Sequence, residues 1–480
     1  MMKRIVAFML FALSFNAFSS PIRHVLLISV DGLHALDLRG FLEKHPRSAL
    51  ASLARHGIEY TDANTPTPAD SFPGLLALVT GGTPEATGVY FDVSYARRLS
   101  PPGSRCRRQG AEVVFDESMD AKGGGLDPGR LPLDPETCRP LYPHDYLKVN
   151  TAFEVVRQSG GYTAWIDKHP VYEIVEGPSG KGVDDLYTPE IGQNAEGETG
   201  GITSKTSSTE RYDEMKVDAL IREIDGRTHD GRKTAPVPEL FGLNIQEVNV
   251  GQKLYGYADG EGAPSSGLAQ VMLNCDRLLG RIAAELKKKK LYDSTLVIVT
   301  AKHGNGPIDP GKLRHVDEKA IMRAIEKNGV SAHVTADRSA LIWLEERSRT
   351  AGVARALLAQ KKQLGMDKLL YGESLSLLYP LDSRSPDIVV LPQRGVIYSG
   401  AGDRKMMEHG GFDSDDTHVA LLVSNPSIKR AIVRAPVSTA SVAPTLLAAL
   451  GLSPDKLEAV RIEGTAVLPG WDKGGLRGRM

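Results

Sequence analysis

Apolar positions along this chain fall into short dense runs separated by stretches of helical periodicity. The run His24–Val30 is mostly apolar and ends in Asp31-Gly32, the pattern of a strand buried on both faces in a parallel sheet. Thr295–Thr300 repeats that shape and also passes directly into polar residues. Residues 162–166, 239–245, 387–391 and 419–423 predict further strands, and apolar spacing of three and four predicts helices over 72–80, 152–158, 210–224, 267–288 and 438–450. Strands alternating with helices imply an α/β fold: a doubly wound, mostly parallel sheet with helices on both faces.

Two regions interrupt the alternation. Residues 101–145 are rich in Gly, Pro and charge, which reads as a long insertion crossing the surface and suited to act as a lid. Across 312–379 the pattern weakens again, and the less distinct elements there predict a small cap packed on the main sheet. The chain has no internal repeat.

Composition narrows the class. Of 480 residues, 41% are apolar and 24% charged, with a net charge of -1, which describes an ordinary globular protein and argues against a nucleic-acid-binding surface. The Lys287–Lys290 run falls at a predicted helix end, where cations suit the carbonyl pole. At the amino terminus Lys3 and Arg4 precede an apolar run over 5–15 and the small residues Ala17, Ser19 and Ser20. That is the layout of a signal peptide over 1–19, too short for the roughly 20 residues of a membrane span. It predicts a periplasmic or secreted protein, free of the membrane after cleavage, with 20–480 as one catalytic domain. Of three cysteines, Cys106 and Cys138 flank the Gly/Pro-rich stretch and either pair or remain free thiols, while Cys275 fits the buried side of a helix.

In an open parallel sheet, ligands bind beyond the carboxyl ends of the strands. Asp31 and His303 both fall at such ends. Ser71, in Ala69-Asp70-Ser71-Phe72-Pro73-Gly74, occupies the expected cap position of the 72–80 helix. There it either caps the helix or uses the positive helix end as a nucleophile. Lys168 and His169 follow the 162–166 strand and are expected on the site rim in contact with substrate. The chain has no G-x-S-x-G elbow, P-loop or dinucleotide fingerprint.

The stretches 24–32, 65–88, 295–304, 409–426 and 437–452 resemble, in that order, the motifs of the alkaline phosphatase superfamily. The branch they resemble best is the nucleotide pyrophosphatase/phosphodiesterase family, also called type I phosphodiesterases. The resemblance implies an alkaline-phosphatase-like fold with a small cap, and an exported hydrolase of small phosphate esters or nucleotide-like substrates. It implies Ser71 as nucleophile and metal ligand, Asp31, His303 and His409 as further metal ligands, and Asp92 as a phosphate contact where the family usually carries Asn. The two-metal logic of in-line displacement accompanies those roles. Two departures modify it. The family's Asp-His pair is here Lys302-His303, and the ligand pair expected near 246–254 meets Glu247, Asn249 and Gln252, the last an amide in place of imidazole. The resemblance so modified implies one divalent ion, zinc, rather than two, with Lys302 taking part in catalysis by supplying positive charge. A sulfatase-like hydrolase and a phosphate-binding member without activity are the competing readings.

Overall fold

The computed structural model describes residues 22–122, 124–192, 201–400 and 402–471; the predicted signal peptide lies outside them. An eight-stranded sheet forms the centre, in the order Ala431–Val433, Gly57–Tyr60, Leu421–Ser424, Thr295–Thr300, His24–Val30, Leu240–Ile245, Thr163–Ile166, Asp185–Tyr187. Every strand runs in one direction except Leu421–Ser424, which is antiparallel to both neighbours. The expected strand over 419–423 is thus displaced and broken. His418–Val419 pairs in a separate three-stranded sheet, and the chain then enters the main sheet at Leu421.

The central strand explains its own composition. Val25 and Leu27 join one core with Leu75, Leu76, Val156 and Leu446, while Leu26, Ile28 and Val30 join another with Leu220, Leu278 and Ile282. Alternate side chains point to opposite faces, so a strand covered by helices on both sides must be apolar throughout. Helices Ser71–Thr80, Ala152–Gln158 and Val442–Ala449 cover the first face, and Thr206–Ile224 and Ser266–Lys288 the second. Among the described residues no helix is long and apolar enough to cross a membrane.

Residues 332–392 build a four-stranded antiparallel sheet, in the order Ala332–Ala336, Ala340–Leu344, Ile388–Pro392, Met366–Tyr371. The apolar run at 387–391 therefore belongs here and not to the central sheet. Ile342, Leu344 and Val390 face the cap's own helices, whereas Leu341, Trp343 and Val389 pack on Tyr90 and Phe91 of the main body. Both of its faces are covered, so its strands carry the same apolar signature as those of the main sheet.

The insertion is more structured than its composition predicts. Val93–Ala96 pairs antiparallel with Ala111–Val114, and Phe115, Met119 and Leu131 are buried in the main core. Phe115 stacks on Phe72 with ring centroids 4.7 Å apart, directly beside Ser71 in sequence. Cys106 and Cys138 are disulfide-bonded, and Cys275 is a free, 1% exposed thiol whose burial pushes its pKa well up. A thiol reagent is therefore expected to find essentially no reactive group in the native protein and one per chain after denaturation without reductant. Three thiols under the latter condition would refute the pairing.

Candidate active site

Strand order decides which side chains meet. Four adjacent strands, Thr295–Thr300, His24–Val30, Leu240–Ile245 and Thr163–Ile166, end at the same edge and release Lys302, Asp31, Gln246 and Asp167-Lys168 there. Asp31, on the central strand, is completely buried. Its Oδ2 accepts from Gln246 Nε2 at 2.5 Å, from Asn244 Nδ2 at 3.3 Å and from Lys168 Nζ at 3.3 Å. On the other side, Lys302 Nζ lies 3.5 Å from Asp31 Oδ1 and 3.4 Å from Asp167 Oδ1, donates to Tyr172 Oη at 3.3 Å, and sits 4.4 Å from the Tyr172 ring centroid. Burial alone would raise the Asp31 carboxyl, but the Lys302 and Lys168 ammonium groups outweigh it and hold Asp31 well below the usual carboxylate range. Burial pulls the Lys302 ammonium downward against the attraction of Asp167 and Asp31. Lys168, also desolvated, is carried above the ordinary lysine value by Asp31 and Asp167.

Ser71 is the first residue of helix Ser71–Thr80; the cap position is held by Asp70, whose side chain makes no capping bond. Ser71 is 4% exposed, and its hydroxyl turns to His303 Nε2 at 3.4 Å and lies within hydrogen-bonding reach of Tyr172. His303 Nδ1 faces the Gly304 carbonyl at 3.3 Å. A proton on Nδ1 donated to that carbonyl leaves the Nε2 lone pair toward Ser71. Burial, reinforced by His409, keeps His303 well below the ordinary histidine pKa and so neutral.

The helix start reaches this site because Gly74 has no side chain. A Cβ there would lie 1.8 Å from the Lys302 carbonyl oxygen, the same oxygen that accepts from Thr65 Oγ1 at 2.8 Å. His409 arrives through a short pairing in which Ala69 N donates to Gly411 O and Gly410 N to Ala69 O, both at 2.8 Å. Its ring lies 4.1 Å from that of His303, and its Nδ1 is 3.2 Å from Asp70 Oδ1.

Sequence-predicted residues divide accordingly. Asp31, Lys168 and Lys302 form one cluster, and Ser71, His303 and His409 form a second joined to it through Tyr172. Asp92 is partly buried, and burial followed by the Asp70 and Asp116 charges raises its carboxyl. His169 is tied to Glu190, Nδ1 to Oε2 at 2.8 Å. Glu247 accepts from Asn274, Asn249 from Asn305, and Gln252 donates to the Gly32 carbonyl, Asp37 and Tyr257. Gln246, Asp167 and Tyr172 are the partners that the sequence reading missed as members of the site. Gln246 and Asp167 carried the same signal as Asp31, a polar residue immediately after a buried strand.

The ion implied by the resemblance does not fit these side chains. Asp31, the anionic donor expected for it, has an ammonium group at each carboxylate oxygen. Asp70 is buried with both oxygens lacking hydrogen bonds and approaches His409, while the nearby His303 directs its Nε2 to the Ser71 hydroxyl. Among the described residues no group of three or more His, Cys, Asp or Glu gathers where it could hold a metal ion.

Comparison with known proteins gives a family and a fold. The family model described as Type I phosphodiesterase / nucleotide pyrophosphatase matches residues 25–414. A comparison with curated protein sequences finds no match. Among solved structures, murine ectonucleotide pyrophosphatase / phosphodiesterase 5 is 17% identical with a TM-score of 0.60, over 90% of this chain and 96% of that one. An inactive variant of the same murine protein, solved in complex with AMP, gives 0.61 at the same identity and coverage. Wild-type alkaline phosphatase PafA gives 0.62 at 14% identity, again over 90% and 96%.

Removing Lys302 would leave Asp31 and Asp167 buried with one counter-charge fewer. Lys302→Met is expected to lower folding stability by about 3–5 kcal/mol, read as a reduced urea midpoint, and Lys302→Met/Asp167→Asn to recover part of the loss. An unchanged midpoint in the single variant would show that the pairing contributes nothing to the fold.

Proposed function

The chain belongs to the type I phosphodiesterase / nucleotide pyrophosphatase family, and from that premise we propose that it is an exported phosphate-ester hydrolase in which Ser71 is the nucleophile and His303 its base. The observation that carries this reading is the approach of the Ser71 hydroxyl to a neutral imidazole, Oγ to Nε2 at 3.4 Å, at the amino end of a helix. A hydroxyl nucleophile needs an adjacent base or a lowered pKa. In the first step the Ser71 Oγ–P bond forms as the bond from phosphorus to the leaving oxygen breaks. The Ser71 proton passes to His303 Nε2 and from there to the leaving oxygen. Water then attacks the serine phosphoester and gives its proton to His303 as the Oγ–P bond breaks, and His303 returns that proton to the Ser71 Oγ. The Lys168 ammonium faces the developing phosphoryl charge, the electrostatic role on which phosphoryl transfer mainly depends. Export is supported by the Lys3-Arg4 and apolar leader pattern and by the Cys106–Cys138 pair. A nucleotide-like substrate is supported by the AMP held in the murine structure.

Substrate charge follows from the cluster. Asp31 and Asp167 balance Lys168 and Lys302, so the arrangement suits the single charge of a phosphodiester better than the double charge of a monoester. The second reading, a binding protein without activity, is favoured by Lys302 standing where the family carries Asp. With a bis-aryl phosphodiester and an aryl monoester as probes, the diester is expected to turn over faster, and Ser71→Ala to lose at least about 10³-fold in kcat. Equal rates for wild type and Ser71→Ala would reject the nucleophile and leave the binding reading.

A further inference from the structure

Asp31 sits where the resemblance expects a metal-bound carboxylate, yet positive charge reaches it from strands on both sides. Lys302 Nζ is 3.5 Å from one oxygen and Lys168 Nζ 3.3 Å from the other. Lys302 is completely buried and fixed by Asp167 and Tyr172, a point charge without freedom to withdraw. A divalent ion entering at Asp31 would meet two ammonium groups, and like charges at such range repel strongly in a desolvated site. The other polar residues at this end of the sheet are largely amides: Asn244 and Gln246 donate to Asp31, and Asn305 ties Asn249 to Gln252. Amides are poor zinc ligands compared with imidazole or carboxylate.

We propose that this chain binds its phosphoryl group without a divalent ion, Lys302 occupying the ion's place at Asp31 and Lys168 presenting positive charge to the phosphoryl oxygens. The two lysines divide the work by exposure. The Lys302 side chain is closed off, while that of Lys168 retains 12% of its surface and is the one able to meet a ligand. A lysine ammonium is a compact charge with three donors, suited to phosphate as a point charge. The inference rests on reading this site as the phosphoryl site, but it does not require turnover.

The test uses the full-length protein, with inorganic phosphate as the probe in calorimetry and metal content by elemental analysis. Wild-type protein treated with a chelator is expected to hold no stoichiometric metal and to bind phosphate with the same Kd before and after zinc is supplied. Lys168→Met is expected to weaken that binding by about tenfold or more. Lys302→Asp, which restores the Asp-His pair, is expected to take up about one zinc per chain and to show a thermal midpoint that rises with zinc. Any of four results overturns the inference: a divalent ion retained stoichiometrically by wild type, phosphate binding that disappears on chelation and returns with zinc, no phosphate binding in either state, or unchanged affinity in Lys168→Met. A folded Lys302→Asp chain that ignores zinc overturns the assignment of position 302 as the ion's place; if that variant does not fold, the wild-type and Lys168→Met measurements decide. Absence of hydrolysis with metal-independent phosphate binding intact would remove the hydrolase reading and leave this inference standing.

Discussion

A carboxylate cut off from water must be neutralised, and Asp31 is buried at the end of the most central strand. Much of this end of the molecule answers that requirement. Lysines come from the strand beside Asp31 and from the strand two places away, and amides from the strand between donate to the same oxygen as Lys168. The parallel arrangement makes this possible, because adjacent strands that share a direction release their next residues at one edge. Such an ion pair is not itself a large source of stability relative to an apolar core. Its effect is to fix where charge stands.

Ser71 and the charged cluster are held together by backbone as much as by side chains. Helix Ser71–Thr80 can press its first turn against the Lys302 carbonyl only because position 74 is glycine. Residues 409–411 pair with Ala69, bringing His409 against His303. The cap is tied to the same segment, since Arg338 N donates to the His409 carbonyl and Ser339 Oγ to that of Gly410. A shift of the cap therefore reaches His409 through two hydrogen bonds, which links the least regular part of the fold to the residues around Ser71.

What the sequence made legible follows the same physics. Burial on both faces leaves an unmistakable run, so His24–Val30 and Thr295–Thr300 were readable to the residue, and Asp31, Lys302 and His303 with them. The same signature marks 387–391 as a strand but not which sheet it joins, because a cap sheet covered on both sides imposes the same composition as the main sheet. Local pattern could identify Ser71 but not its role. Asp70 takes the cap position, and the partner of the Ser71 hydroxyl lies 232 residues away in sequence. Phe115 was lost in a segment of Gly, Pro and charge because one buried aromatic ring has no periodicity. Gln246 and Asp167 follow strands just as Asp31 does, but nothing local marks them as partners of Asp31 and Lys302. Only the order of strands in the sheet brings them together.

Replacing an ion by ammonium groups changes what the rest of a phosphoryl site must do. A divalent ion both neutralises phosphoryl charge and lowers the pKa of a bound hydroxyl. An ammonium group does the first and has no vacant coordination position for the second. Proton removal from Ser71 must then fall to a side chain, and His303 has the requisite geometry, with Nδ1 at a carbonyl and Nε2 toward the hydroxyl. Burial that keeps its imidazole neutral also disfavours the imidazolium formed when it accepts a proton. That cost is offset in part by the Asp31 carboxylate and further when a bound phosphate ester brings negative charge nearby. Under the proposed reading, substrate binding and base strength are thereby coupled: an anion attracted by Lys168 also makes His303 a better proton acceptor. The hydroxyl is then activated, under that reading, by occupancy of the site together with the Asp31 charge already acting on His303.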